Sequence, residues 1–327
     1  MDVCYLHDGA VDAHGSDALS ELLAREEGIV WVDIPECDPA AAQVLTDVFG
    51  FHPLAVHGCV ERNRVPKVHA YADHVFVVLH GPERGRSGHI HYVELDLFIG
   101  PNYVVTVHGP VNPAVDPAVM LRETRSVRDR IAAGRLRPKA PFELSYAIVS
   151  TMARNMEQFI EELTAEAWRL EQQVTGGRAN ESEQFLDELF QTRHGLLAVR
   201  TMAALSREIH ARITTVARFL PPHGRPFVDD LVDQFGRVRG IAEGQKDYVE
   251  GVIEYYRART DTKMMIAAER LAVIAVVTLP ITALASVYGM NIIVNGSTDF
   301  AHLGIVVLVM AAMSAALLRW AKRQGWW

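Results

Sequence analysis

The spacing of apolar residues changes character twice along this chain. Up to about residue 110 it alternates in short runs. VCYLHDG, GIVWVDIPE, HVFVVLHG (74–81), HYVELDLFIG and NYVVTVHG (91–109) read as strands, the last two joined across a Gly-Pro-Asn turn. Between them DALSELLAREE, opened by Ser16 or Asp17, and DPAAAQVLTDVFG read as short amphipathic helices. In the second, Asp38 is placed to cap, Pro39 to begin and Gly50 to end the helix. From about residue 113 the period becomes helical. One helix is expected from Phe142 to Thr175, after Pro141, with Glu157, Glu161, Glu162 and Glu166 on its outer face. A second spans about Ser182 to Thr215, PPHGRP (221–226) makes a turn, and a third begins near Phe227.

Nothing in the third helix is strong enough to stop it before LAVIAVVTLPITALASVYGMN, residues 271–291, a run without a single charge. A second apolar run covers 301–318. The first meets the ~20 apolar residues needed to cross a bilayer, and the second is nearer the lower limit. The predicted fold class is therefore an α/β N-terminal cytoplasmic domain and a long helical stalk continuous with a two-helix transmembrane hairpin. The expected divisions are an α/β domain over 1–140, a helical region and stalk over 141–263, and the hairpin with a short basic tail over 264–327. A stalk helix of about 60 residues, at ~1.5 Å per residue, makes a rod of roughly 90 Å that a monomer would not cover, so partners are implied.

Charge orients the hairpin. Arg257, Arg259, Lys263 and Arg270 precede the first run, and Arg319, Lys322 and Arg323 follow the second. The link between the runs carries no cation and one acid, Asp299. Both termini are expected in the cytoplasm of a multi-pass cytoplasmic-membrane protein. The opening residues lack a basic region followed by an apolar one, so no signal peptide is read there. Three cysteines without metal-type spacing suit a reducing compartment. A net charge of −8 disfavours nucleic acid and favours cations as partners.

Within the first run Thr278, Thr282 and Ser286 stand four apart and share one narrow helical face, with Leu271, Ala275 and Leu279 on or beside it. Small hydroxyl residues also simply pack helices together in lipid. The run ends in Tyr288-Gly289-Met290-Asn291, and Gly and Asn are in themselves ordinary helix-ending residues. Yet PITALASVYGMN, followed by a short link, a second span and a basic tail, resembles the CorA-type magnesium channel family, whose signature is this Gly-Met-Asn. FGFHPLAV (49–56), RNRVPKVHAYADHVFVVLH (62–80) and LFIGPNYVVTVH (97–108) carry the same resemblance.

The resemblance implies a homopentamer passing Mg²⁺ into the cell, with Co²⁺ and Ni²⁺ as secondary ions. Gly289, Met290 and Asn291 would form the selectivity filter. Ser286, Thr282 and Leu279 would line the pore, with Leu271 its apolar constriction. The family's external acidic Met-Pro-Glu-Leu run is missing, which leaves Asp299 to attract ions. His57-Gly58 stands where the family has Glu-Asp, and Met265, near Glu269 and Arg270, where many members have Asn. In the family, Mg²⁺ bound between cytoplasmic domains regulates the pore. PFVDDLVDQF matches the head of the stalk and puts Asp230 at that position, with Asp233 one turn on and Glu83 as the candidate partner acid; a solvated acidic helix start would look the same.

Fourteen histidines suggest an alternative, a Zn²⁺ transporter, proton-coupled or not. His69, His74, His80, His89 and His91 fall in one sheet region, and His89 and His91 would share a strand face, although surface histidines on a sheet would give the same pattern. An enzyme is not expected: the sequence has no nucleophile–base pairing, phosphate loop or metal-ligand spacing.

Overall fold

Strand β1 (Asp2–His7) pairs antiparallel with β2 (Ala10–His14) on one side and β3 (Ile29–Ile34) on the other. The computed structural model describes residues 1–7, 10–85, 88–176, 183–216, 221–289 and 300–323. A single 3₁₀ turn leads into α1 (Leu19–Leu23), and α2 (Pro39–Asp47) and α3 (Pro53–Val60) follow β3. Asp38 caps α2 as expected, its Oδ1 accepting the Ala41 N–H at 2.7 Å. His52 does the same for α3, its Nδ1 accepting the Leu54 N–H at 3.2 Å ahead of Pro53.

Then come β4 (Lys67–Ala70), β5 (Val75–Arg84), β6 (Ile90–Ile99) and β7 (Tyr103–His108). The seven strands order as β2-β1-β3-β7-β6-β5-β4, and β3 with β7 is the one parallel pair. Every residue of β3 and β7 is buried, as expected of strands covered on both faces. On one face α1 to α3 close a core in which Phe51, Phe76 and Phe98 stack, Phe51 and Phe98 with centroids 4.0 Å apart. On the other lie α4 (Pro117–Met120), α5 (Arg122–Ala132), α6 (Pro141–Thr175) and α7 (Glu183–Val216).

A buried polar knot holds α5 to the sheet. Asp33 Oδ1 accepts from the Thr106 hydroxyl at 2.6 Å and the His108 ring at 2.9 Å, and Oδ2 from Arg128 at 3.0 Å. Arg128 also lies over the Trp31 ring.

Helix α8 (Arg225–Gly289) starts two residues before Phe227 and, as predicted, runs without a break through Pro280 into the uncharged run. Helix α9 (Phe300–Arg323) holds the second run. The chain forms two compact units, Met1–Gly251 and Val252–Trp327. Within the first, α8 is laced to its neighbours by Ser150 to Gln234 at 2.9 Å, Glu157 to Arg237 at 3.1 Å, and Arg193 to Glu250 at 2.8 Å. Two members of the acidic face of α6 are thus engaged: Glu157 with Arg237, and Glu166 with Arg84 at 2.6 Å. In the second unit, two helices have stretches long and apolar enough to cross a membrane, and neither stretch is buried.

Candidate functional site

The last five turns of α8 carry the candidate pathway. At ~100° per residue, Leu271, Ala275, Thr278, Leu279, Thr282 and Ser286 fall within an arc of about 100°. Thr278 donates its hydroxyl to the Ile274 carbonyl and Thr282 to that of Thr278, each at 2.8 Å. These bonds satisfy the hydroxyl protons locally and leave oxygen lone pairs to face outward, which is how a hydroxyl is tolerated in an apolar surrounding. Leu271 and Leu279 are each 67% exposed, and Thr282 and Ser286 are exposed. Among the described residues none buries this stripe, and only Ala275 in it is partly covered. Gly289 is the last described residue of α8. Met290, Asn291 and Asp299 lie outside the described residues.

The candidate regulatory acids sit at the other end of the same helix. Asp230 and Asp233 are both exposed and three residues apart, hence on one face. Asp230 is held from α6 and from its own helix: its Oδ2 accepts from the Tyr146 hydroxyl at 2.7 Å and from Gln234 Nε2, one turn on, at 2.6 Å. Gln234 in turn accepts from Ser150. Partial burial, and then the bond to Asp230 and its charge, raise the Tyr146 phenol above its ordinary pKa. Sequence spacing could not supply Tyr146 and Ser150, which lie 84 residues before the groups they hold. Glu83 lies inside β5, not in a loop after it, and its Oε2 accepts from Arg122 of α5 at 2.5 Å.

The family model for CorA-like Mg²⁺ transporter proteins matches residues 26–323. The chain belongs to that family. It is similar to YfjQ of Bacillus subtilis (strain 168), with 25% identity over 308 residues, covering 90% of this chain and 89% of YfjQ. It is similar also to the cobalt/magnesium transport protein CorA of Thermotoga maritima, with 23% identity over 292 residues, covering 87% of this chain and 79% of that one. Among solved structures, the complete CorA magnesium transporter of Methanocaldococcus jannaschii matches with a TM-score of 0.82 at 12% identity, covering 100% of this chain and 99% of that one. That is a likeness of fold.

As a CorA-like protein the chain is a membrane protein of a divalent-cation transporter family, not of an enzyme class. Of the five histidines in the sheet region, His69 and His89 lie at the surface and the others do not. His74 and His80 are buried, His74 stacked against Tyr71 and His80 bonded to the Asn63 carbonyl at 2.8 Å. His89 precedes β6, while His91 lies within it, 3.1 Å from the Asn112 amide. Among the described residues no three His, Cys, Asp or Glu side chains are placed to share a metal ion.

Proposed function

We propose that this chain works as a homopentameric, passive Mg²⁺ influx channel of the cytoplasmic membrane, with both termini inside and Co²⁺ and Ni²⁺ as secondary ions. Five copies of the first span of α8 surround the axis. Leu271 and Leu279 form apolar constrictions, Thr282 and Ser286 line the path, and Gly289, Met290 and Asn291 make the outer filter. Mg²⁺ dehydrates reluctantly. A ring of Asn291 carboxamides accepts hydrogen bonds from its waters without stripping them, where a carboxylate ring would hold the ion too tightly to release it. Asp299 concentrates cations outside. The membrane potential supplies about 4.6 kcal/mol per divalent ion at 100 mV.

The observation that carries this reading is the largely exposed stripe of apolar and hydroxyl residues on α8, a helix described through Gly289 with Met290-Asn291 next in the sequence, in a chain of the CorA-like family. Intracellular Mg²⁺ bound at Asp230 and Asp233, with Glu83 as the candidate acid across the interface, closes the pore. The support for Asp230 is its fixed carboxylate: both donors converge on Oδ2. The test is Mg²⁺ entry into liposomes containing the purified protein. Asn291→Ala abolishes entry while the assembly elutes unchanged; full uptake by that variant removes the filter role.

A further inference from the structure

A cleft unrelated to the ion path opens in the first unit, beside the β1–β2 edge of the sheet. Its volume is about 550 Å³, within the ~300–1,000 Å³ of pockets that take small molecules. Tyr5, Leu6, Ile29 and Ile131 supply a buried floor. The walls are charged: among the described residues, Arg25, Arg137 and Lys139 face one carboxylate, Glu27. In a chain with a net charge of −8, a concave surface with this balance is an exception, and clefts concentrate a field of one sign.

The cations are set in place by the backbone. Two residues past the end of α5, Gly134 with a φ of +67° reverses the chain, and the Arg135 and Leu136 N–H groups both bond back to the Arg130 carbonyl. Three residues on, the Lys139 N–H donates to the Glu143 carboxylate at 2.8 Å. Arg137-Pro138-Lys139 is thus pinned at both ends, and Pro138 stiffens it further. Across the cleft, Gly28 has a φ of +85°, and a Cβ there would come within 2.7 Å of the Tyr5 hydroxyl. Only glycine lets the chain pass so close, and the contact keeps the floor tight while Tyr5 donates to the Glu27 carbonyl at 2.6 Å. Among the described residues Arg25 is paired with Glu21, whereas no ion pair engages Arg137 or Lys139.

We propose that this cleft binds a small soluble phosphorylated anion of up to nucleotide size, held by Arg137, Lys139 and Arg25. Guanidinium and ammonium groups presented together on a fixed backbone suit phosphate oxygens, and pre-set donors lower the ordering cost of binding. The assay is titration calorimetry on the full-length protein in detergent, with EDTA present so that the probe carries no Mg²⁺. Pyrophosphate and ATP are the probes. Wild type gives saturable binding that weakens with added salt, and Arg137→Ala/Lys139→Ala weakens it by about tenfold or more with an unchanged thermal midpoint. Absence of saturable heat with either probe at millimolar concentration overturns the proposal. So does equal binding by the double variant, or binding only to vesicles bearing phosphoinositide headgroups.

Discussion

Asp96 offers a prediction that runs against the usual effect of a core substitution. Its side chain is fully buried on β6 opposite Val78, with the Cys59 thiol and the Glu94 carboxyl as its near polar neighbours. Glu94, two residues away on the same face, is also buried but accepts two bonds from Asn63. Burial pushes the Asp96 carboxyl well above its ordinary range, and the neighbouring Glu94 charge adds to that, against smaller pulls from the nearby Cys59 thiol and from Lys67. Asp96 therefore stays protonated in the fold well above the pH at which it ionises in the unfolded chain, ~3.9. From that pH upward the folded state binds the extra proton, and stability falls by about 1.4 kcal/mol per pH unit for as long as Asp96 remains neutral. Asp96→Asn keeps the shape and a neutral polar group, and it removes this linkage. The variant should melt with wild type near pH 4 and above it as pH rises. The gap should widen by roughly 3 to 6 °C per pH unit, taking ~2–4 °C per kcal/mol for a unit of this size. Thermal unfolding of the detergent-solubilised protein, followed by tryptophan fluorescence at several pH values, reads it out. A gap that stays constant with pH, or a variant less stable at pH 7, refutes the reasoning.

Asp33 behaves in the opposite sense. Burial pushes its pKa up, but the bonds from His108 and Thr106 and the Arg128 charge outweigh that and leave it below the ordinary range. Asp33→Ala strands three donors and should cost about 2–3 kcal/mol at pH 7 in the same melting assay. Because a lowered carboxyl pKa stabilises only above the unfolded value, that loss should shrink as pH falls below about 4. At the proposed regulatory acids, Asp230→Ala should shift inhibition of Mg²⁺ entry to higher internal Mg²⁺ in the liposome assay, and an unchanged inhibition curve removes that role.

How far the sequence could be read depended on whether the signal was local. The start of α8 was legible to within two residues because the turn before it is marked by prolines and glycine, and that of α2 because Asp38-Pro39 states it. The edge strands β2 and β4 were not. One is exposed and carries almost no alternation, and the other is four residues long, so each exists through pairing with a neighbour. Helix α3 was overlooked although His52-Pro53 is a serviceable start signal. The proposed pore stripe could be drawn from sequence because helical periodicity alone brings Leu271, Thr278, Thr282 and Ser286 onto one face. The setting of Asp230 by Tyr146 was not, since only packing of α6 against α8 joins them. Glu83 was expected in a loop because nothing local signals that β5 continues past Gly81 to Arg84.

The central claim is that one face of the first span meets its own copies around an axis. Cysteine cross-linking in membranes tests it directly, in a chain whose Cys4, Cys37 and Cys59 are replaced by Ser. Thr282→Cys lies in the stripe, and Leu284→Cys lies on the opposite side of the helix. Under oxidant the first should give disulfide-linked pairs of chains, and the second should stay monomeric. A ring of five leaves one chain without a neighbour to pair with, so pairing at residue 282 should level off near about four chains in five. Equal cross-linking at both positions, none at residue 282, or pairing there that runs to completion would contradict the account.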